Sequence, residues 1–361
     1  LFPDLRDFRE GSLASAKILL IEIGNHFFME LLLTGSTGFV GRNLLLKLHR
    51  DSRWSRIILP VRDLEKLRSQ LEGEGISDER FAPCRVTGDF WTLPPGTSPD
   101  LVIHAAGLLF ARSREEYFAT NVEGTLRLMA QLPRTARIIV LSSQAAGGPT
   151  ARGKNARSMD DEDQPVSLYG ASKLTMEREL RNRLGRRLLI LRPPMVLGPR
   201  DAATLPLFKM AAGAVRVKPG FAPKHYSWID VEDLCNAILA AALIAPADWE
   251  KHGPFYLGSL TTITDHELIA TAAKAINAHG ITLALPHAAI QLASLAIDIV
   301  SAWRAAAPSL GRDRVREILP DRWVCDSDPF SEHFGWSPRL EGNLENTLRS
   351  TAEWLKKQGK I

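Results

Sequence analysis

Leu31-Leu32-Leu33-Thr34-Gly35-Ser36-Thr37-Gly38-Phe39-Val40-Gly41 is the stretch that decides the fold. An apolar run enters three glycines, and a leucine-rich segment follows from about Asn43. The order reads as strand, turn, helix. Gly35 permits the tight turn out of the strand. Gly38 lets the main chain come close to a pyrophosphate, and Gly41 lets the new helix pack closely on the strand. The free N–H groups and the positive dipole end of that helix suit phosphate oxygens. A glycine triplet carries weight only in this context, after a strand and opening a helix at the head of a βαβ pattern.

Outward from that turn the pattern repeats. Arg56–Val61, Phe81–Val86, Leu101–His104, Ala136–Leu141 and Arg187–Leu191 read as strands. Segments near 43–50, 115–132 and 168–184 between them read as helices. Regular alternation of this kind predicts an α/β protein with a Rossmann-type, doubly wound parallel sheet. Beyond Pro199 the alternation breaks down, and a smaller, mainly helical C-terminal region follows. Residues 29–200 are expected to form the NAD(P)-binding core, with returns to it near 228–258. Residues 201–227 and 259–361 are expected to form the substrate-binding region. Residues 1–28 form an N-terminal extension of uncertain status, with Met29 just before the first strand.

Composition narrows the classes. The chain of 361 residues carries 24% charged and 45% hydrophobic residues, the balance of a soluble globular protein. A formal charge of +4 does not call for nucleic acid and suits an anionic cofactor. Cys84, Cys235 and Cys325 lie far apart, which reads as reduced, mostly buried cysteines of a cytoplasmic protein. No zinc spacing is present, and no metal is expected. The most apolar window, Ala288–Ala307, contains Gln291, Asp298 and Arg304, so no integral membrane span is expected. Peripheral rest on a membrane surface suits the same window.

The Gly-x-x-Gly-x-x-Gly spacing of the turn resembles the extended short-chain dehydrogenase/reductase family, also called the NAD-dependent epimerase/dehydratase family. Asn121-Val122-Glu123-Gly124-Thr125, Ser142-Ser143, Tyr169-Gly170-Ala171-Ser172-Lys173 and Arg192-Pro193-Pro194 occur in that family's order. The likeness is close from Glu30 to Glu232 and looser beyond, where Asp230 stands in place of a common His. The resemblance implies cofactor contacts at Gly35, Thr37, Gly38, Phe39 and Val40, and at Asp89 and Phe90 beside the adenine ring. It also implies contacts at Pro193 and Met195 under the nicotinamide, and a sheet-centre and relay role for Asn121. A homodimer through the helices carrying Asn121 and Tyr169 is a further implication, with Leu126, Leu128, Leu174 and Met176 as candidates to face the partner or the sheet.

The residues themselves carry the chemistry. Tyr169 and Lys173 are four residues apart, on one face of a helix. A nearby ammonium favours the phenolate, so Tyr169 is expected to exchange a proton with an alcohol or carbonyl oxygen. Lys173 is also expected to hold the nicotinamide ribose. Ser143, ending a strand, is expected to hydrogen-bond the substrate oxygen. Ala105, Ala106 and Gly107 are small, leaving room for cofactor phosphates and ribose. His104, ending an apolar strand with no acidic neighbour, reads as structural. Arg62 lies about twenty residues after the last glycine, where the adenine ribose is read, and favours NADP, with NAD possible because Asp63 adjoins it.

These residues predict an NAD(P)-dependent oxidoreductase with a Ser-Tyr-Lys mechanism, interconverting an alcohol and a carbonyl on a small-molecule substrate. Leu205, Leu207, Phe208, Met210, Val215, Val217 and the segment from Ala288 suit an apolar, sterol-like or flavonoid-like substrate. They equally suit the small region's own core. A sugar-nucleotide epimerase or dehydratase, and a non-catalytic cofactor-binding subunit, are the alternatives.

Overall fold

The computed structural model describes residues 29–86, 91–244, 249, 253–303 and 311–361. The extension 1–28 and the expected adenine contacts Asp89 and Phe90 lie outside the described residues.

The sheet is built by β1 (Met29–Thr34), β2 (Trp54–Val61), β3 (Phe81–Arg85), β4 (Leu101–His104), β5 (Arg137–Leu141) and β6 (Leu188–Arg192), joined later by β11 (Phe255–Tyr256). All seven strands are parallel, in the order β3-β2-β1-β4-β5-β6-β11. The order reverses between β1 and β4, and in such sheets the crevice at that point, at the strands' carboxyl ends, is where ligands sit.

The leucine run of β1 shows why the sheet is covered on both faces. Leu31 and Leu33 point to one side, Leu32 to the other, and all three are fully buried. The Leu31 side packs on α1 (Phe39–His49) through Leu44, Leu45 and Leu48. Later helices α8 (Val231–Ala242) and α12 (Asp328–Phe334) complete that layer. The Leu32 side packs on α4 (Thr125–Ala130) and on α6 (Leu168–Leu184) through Leu128, Met129, Met176 and Leu180. Of the four residues that suited either partner or sheet, Leu128 and Met176 are fully buried against the sheet, Leu126 packs on the same cluster, and Leu174 is buried.

After β6 the chain forms β7 (Met195–Leu197), α7 (Leu205–Ala211), β8 (Val215–Pro219), β9 (His225–Tyr226) and β10 (Trp228–Asp230). The region then adds β12 (Ile263–Thr264), α9 (Asp265–Ala275), β13 (Ile281–Leu285), α10 (His287–Trp303), α11 (Arg312–Ile318), β14 (Arg322–Trp323) and α13 (Leu344–Lys357). A third core cluster forms here, with Leu205, Leu207 and Phe208 packing among Trp228, Ile263, Ala272 and Leu348. α9 starts with a full capping box, Thr264 and Glu267 bonding each other's backbone N–H. Asp230 caps α8 and accepts from Arg339 at 3.0 Å and Thr347 at 2.7 Å, so it ties the closing segment to the sheet.

The polar stretch 147–164 is pinned by a buried ion network. Arg192 forms paired bonds to Glu177 of α6 (2.9 and 2.6 Å) and to Asp163 of the loop (2.6 and 2.8 Å). The Tyr256 hydroxyl lies 2.9 Å from Arg192 and 3.0 Å from Arg157. The flanking carboxylates hold the Arg192 guanidinium well above the ordinary arginine range despite its burial.

Candidate active site

The glycine turn is held by close main-chain approaches. Gly35 adopts φ +72°, and a Cβ there would stand 2.8 Å from the carbonyl of Ala105 at the end of β4. A Cβ on Gly41 would meet the Gly35 oxygen at 2.1 Å, so the third glycine packs the helix on the turn itself rather than on the strand. α1 begins at Gly38 with no side-chain cap, which leaves its first N–H groups available. The Ser36 hydroxyl in the turn is buried and has no partner among the described residues. Uncapped donors beside an orphaned buried hydroxyl are what a pyrophosphate would satisfy, so these residues fit a dinucleotide.

A cleft of about 1640 Å³ runs from this turn to Tyr169. At its adenine end Arg62 is exposed, with Lys66 beside it. Asp63, the residue that weakened the NADP reading, caps α2 (Leu64–Gly73) by accepting the Lys66 N–H at 2.9 Å. Ala105, Ala106 and Gly107 line the cleft's middle.

Asn121 lies in a π-helical turn, Ala119–Gly124, between α3 (Arg114–Phe118) and α4. Its amide accepts from the Leu108 N–H at 2.7 Å and donates to the Leu108 carbonyl at 3.1 Å. It also donates to the Ser172 hydroxyl at 3.0 Å, joining the loop after β4 to α6. Lys173 packs behind Gly107: a Cβ there would stand 3.0 Å from Nζ, which donates to the Leu141 carbonyl at 3.0 Å. His104 is fully engaged, its ring nitrogens 2.9 Å from Thr34 Oγ1 and 2.9 Å from Thr125 Oγ1. Burial, with the nearby Lys173 charge, pushes its pKa down to about 3, so it is a neutral structural group.

Tyr169 faces the cleft, and Ser143, not Ser142, is the serine that bears on its hydroxyl. Ser143 caps α5 (Gln144–Gly147), accepting from Ala145 at 3.1 Å, while the Ser142 hydroxyl is buried without a partner among the described residues. The electrostatics correct one expectation. Burial pushes the Tyr169 phenol up to about 12, and the Ser143 hydroxyl, rather than the Lys173 charge, is the largest opposing influence. Lys173 is itself pushed down to about 8 by burial. In the free protein at neutral pH Tyr169 therefore carries its proton, as a donor to a carbonyl must.

Pro193 is buried, its carbonyl accepting from Gln144 at 2.9 Å, and Met195 packs on the third core; like Ser143, Lys173 and Asn121, they stand behind the cleft's lining residues. Phe39 and Val40 pack on the sheet core. The apolar set Leu205, Leu207, Phe208, Met210, Val215 and Val217 does not line the cleft either, and its first three members fill the small region's core.

The end of the cleft at Tyr169 is lined by residues that the spacing arguments missed. Leu108, Leu109 and Phe110 form an apolar wall after Gly107, and Tyr117 lies 6.1 Å from Tyr169, ring to ring. Opposite stands α11, which bonds the start of α6: Asp313 accepts the Leu168 N–H at 2.8 Å, and Glu317 bonds the Ser167 hydroxyl. Arg312, Arg314 and Arg316 line the cleft beside Asp298, Asp313 and Glu317: Arg312 pairs with Asp298, Arg314 pairs with Glu317 and lies over the Phe110 ring, and Arg316 is exposed. The one available signal was an apolar Leu-Leu-Phe run in a loop directly after a strand end. Among the described residues no cluster of three or more His, Cys, Asp or Glu could hold a metal.

The sequence profile of the NAD dependent epimerase/dehydratase family matches residues 31–250. A ceramide reductase of Caulobacter vibrioides is 28% identical over 335 residues, covering 91% of this chain and 94% of that protein. A 4-hydroxy-2-methyl-3-oxo-4-farnesyl-3,4-dihydroquinoline-1-oxide ketoreductase of Stigmatella aurantiaca is 27% identical over 337 residues, covering 86% and 93% of the two chains. Among solved structures, UDP-glucuronic acid 4-epimerase from Bacillus cereus, in complex with UDP-glucuronic acid and NAD, gives a TM-score of 0.67 at 18% identity. That match covers 91% of this chain and 100% of that one, and is a likeness of fold.

Proposed function

The chain belongs to the NAD-dependent epimerase/dehydratase family, and from that premise we propose that it reduces a ketone on an amphiphilic small molecule to a secondary alcohol, with NADPH as the preferred donor. The observation that carries the reading is geometric: Tyr169 lines the cleft, Ser143 stands just after the neighbouring strand β5, and Lys173, one helical turn on, packs behind Gly107 in the cleft wall. The nicotinamide, when bound, supplies the hydride. Tyr169 gives its proton to the carbonyl oxygen as charge develops there. The Ser143 hydroxyl bonds the same oxygen and fixes its distance to Tyr169. Lys173 and Asn121 hold the Gly107–Leu108 segment and orient the ribose side of the cofactor site.

An amphiphile fits the two walls of the substrate end: an apolar body against Leu108–Phe110 and a polar head against the arginines of α11. The two relatives carry names of reductases, which supports the same chemistry. Arg62 and Lys66, with Asp63 engaged as a cap, support NADPH over NADH through charge-assisted contacts to a 2′-phosphate.

A sugar-nucleotide epimerase or dehydratase is the second reading, favoured by the arginines of α11, which would also suit a diphosphate. A panel of amphiphilic ketones and sugar nucleotides, followed by nicotinamide absorbance and product analysis, separates the two. Net NADPH oxidation with a ketone supports the reductase. Product from a sugar nucleotide without net cofactor turnover overturns it.

A further inference from the structure

The helix α10, His287–Trp303, is inside out for a surface helix. Ala288, Ala289, Gln291, Leu292, Ala293, Leu295 and Ala296 are exposed, whereas Ser294 is buried. At the period of an α-helix these seven positions sweep an arc of about 200° with Gln291 as their one polar member, and the exposed His287 stands just beyond its edge at the helix start. Leu292 is 70% exposed and Leu295 41%. The patch extends beyond the helix. Phe221 is 74% exposed and follows Gly220, which packs against His287 at the helix start. Ile281 and Leu283 of β13 are exposed just upstream.

We propose that this face docks on an anionic lipid bilayer, with α10 lying in the interface. Three observations select that occupant. The first is charge. The only Asp, Glu, Lys or Arg in the helix sequence, Asp298, is paired with Arg312 of α11 at 2.8 Å. On the same short helix Arg314 pairs with Glu317 and Asp313 accepts the Leu168 N–H, which leaves the exposed Arg316 as the charge offered to an anionic headgroup. The second is continuity: Leu295 and Asp298 line the cleft that ends at Tyr169, so the face borders the cleft mouth. A bilayer there delivers an amphiphile to the site, whereas a partner protein would cover the entrance. The third is length. No helix among the described residues is long and apolar enough to cross a membrane, so α10 lies on the surface instead of spanning it.

The test is sedimentation of the full chain with vesicles of phosphatidylcholine alone and of phosphatidylcholine with phosphatidylglycerol. The wild type should bind the anionic vesicles and bind the neutral ones less. The double variant Phe221→Asp, Leu292→Asp should partition at least roughly tenfold more weakly. Both sites are exposed, so circular dichroism and NADPH affinity should match the wild type. Wild-type protein that stays in the supernatant with both vesicles overturns the proposal. So does equal sedimentation of wild type and variant, or a dimer by light scattering that Leu292→Asp dissociates while vesicles are ignored. None of these readouts depends on turnover, so the docking surface fails or stands separately from the ketone-reductase reading.

Discussion

At the cofactor end of the cleft the wall is main chain, and at the substrate end it is side chains. Gly35, Gly38, Ala105, Ala106 and Gly107 present backbone to the ligand, and the tight approaches of Gly35 and Gly41 leave no room for a Cβ. The opposite end is assembled from Leu108–Phe110, Tyr117 and Tyr169, with α11 brought in from far along the chain. A wall of backbone is set by residue spacing and tolerates few residues. A wall of side chains is set by which distant segments pack together, and its chemistry changes whenever one of them does.

Tyr169 stands where the two ends meet, so its removal is the largest expected effect and the sharpest test of the division. Tyr169→Phe keeps the ring and its contact with Tyr117. Turnover should fall by roughly 10²–10⁴ while NADPH affinity, a property of the other end, stays put. Lys173→Ala should lower both, because its ammonium supports the Gly107 side as well. Steady-state kinetics with cofactor titration of each variant gives the split. Near-normal turnover of a folded Tyr169→Phe protein would remove Tyr169 as the proton donor.

Next in size is the one side-chain contact proposed at the cofactor end. Arg62→Ala should raise the Kd for NADPH by about 10- to 100-fold, the range of a charge-assisted hydrogen bond, and leave NADH nearly unchanged. Equal losses for both cofactors would show that Arg62 does not read the 2′ position. At the substrate end, Phe110→Ala should raise KM by up to about tenfold through lost apolar contact, with the cofactor Kd unmoved. A shift in cofactor Kd instead would break the separation of the two ends.

The same contrast explains what could be read in the sequence. The seven-stranded sheet was legible because β1 to β6 follow one repeated pattern, and because Gly35 has to adopt positive φ at a close approach. The positions of Ser143, Tyr169 and Lys173 were legible as spacings along one strand end and one helix. Their electrostatics were not: whether Lys173 or burial dominates Tyr169 depends on three-dimensional surroundings, and burial prevails. The apolar run 205–217 was ambiguous because a core face and a pocket wall have the same composition; Phe208 went to the core. The charged wall from α11 was invisible, since nothing in a local pattern ties Asp313 to Leu168 or Glu317 to Ser167. Leu128 and Met176 read equally as sheet-facing or partner-facing until the sheet was in view.

The smallest expected effect is a pH dependence, and it sets apart the two cations near the cofactor. Burial pushes the Lys173 ammonium down to about 8 in the free protein. An anionic cofactor favours the charged form, so binding raises that pKa and takes up a proton above pH 8. The sign follows from linkage: affinity is full below the free-protein pKa and falls as pH rises through it. Between pH 7 and pH 9 the Kd for NADPH should therefore rise by at most about tenfold, one decade per pH unit above the free-protein pKa. Lys173→Met should bind more weakly throughout and lose this slope. Arg62→Ala should bind more weakly and keep it, because guanidinium groups hold their charge across this range. Calorimetric titration at the two pH values, in two buffers of different ionisation enthalpy, measures both the Kd and the proton uptake. A slope that survives in Lys173→Met would assign the titration to another group, and Lys173 would then be a packing residue behind Gly107 rather than a charge that the cofactor senses.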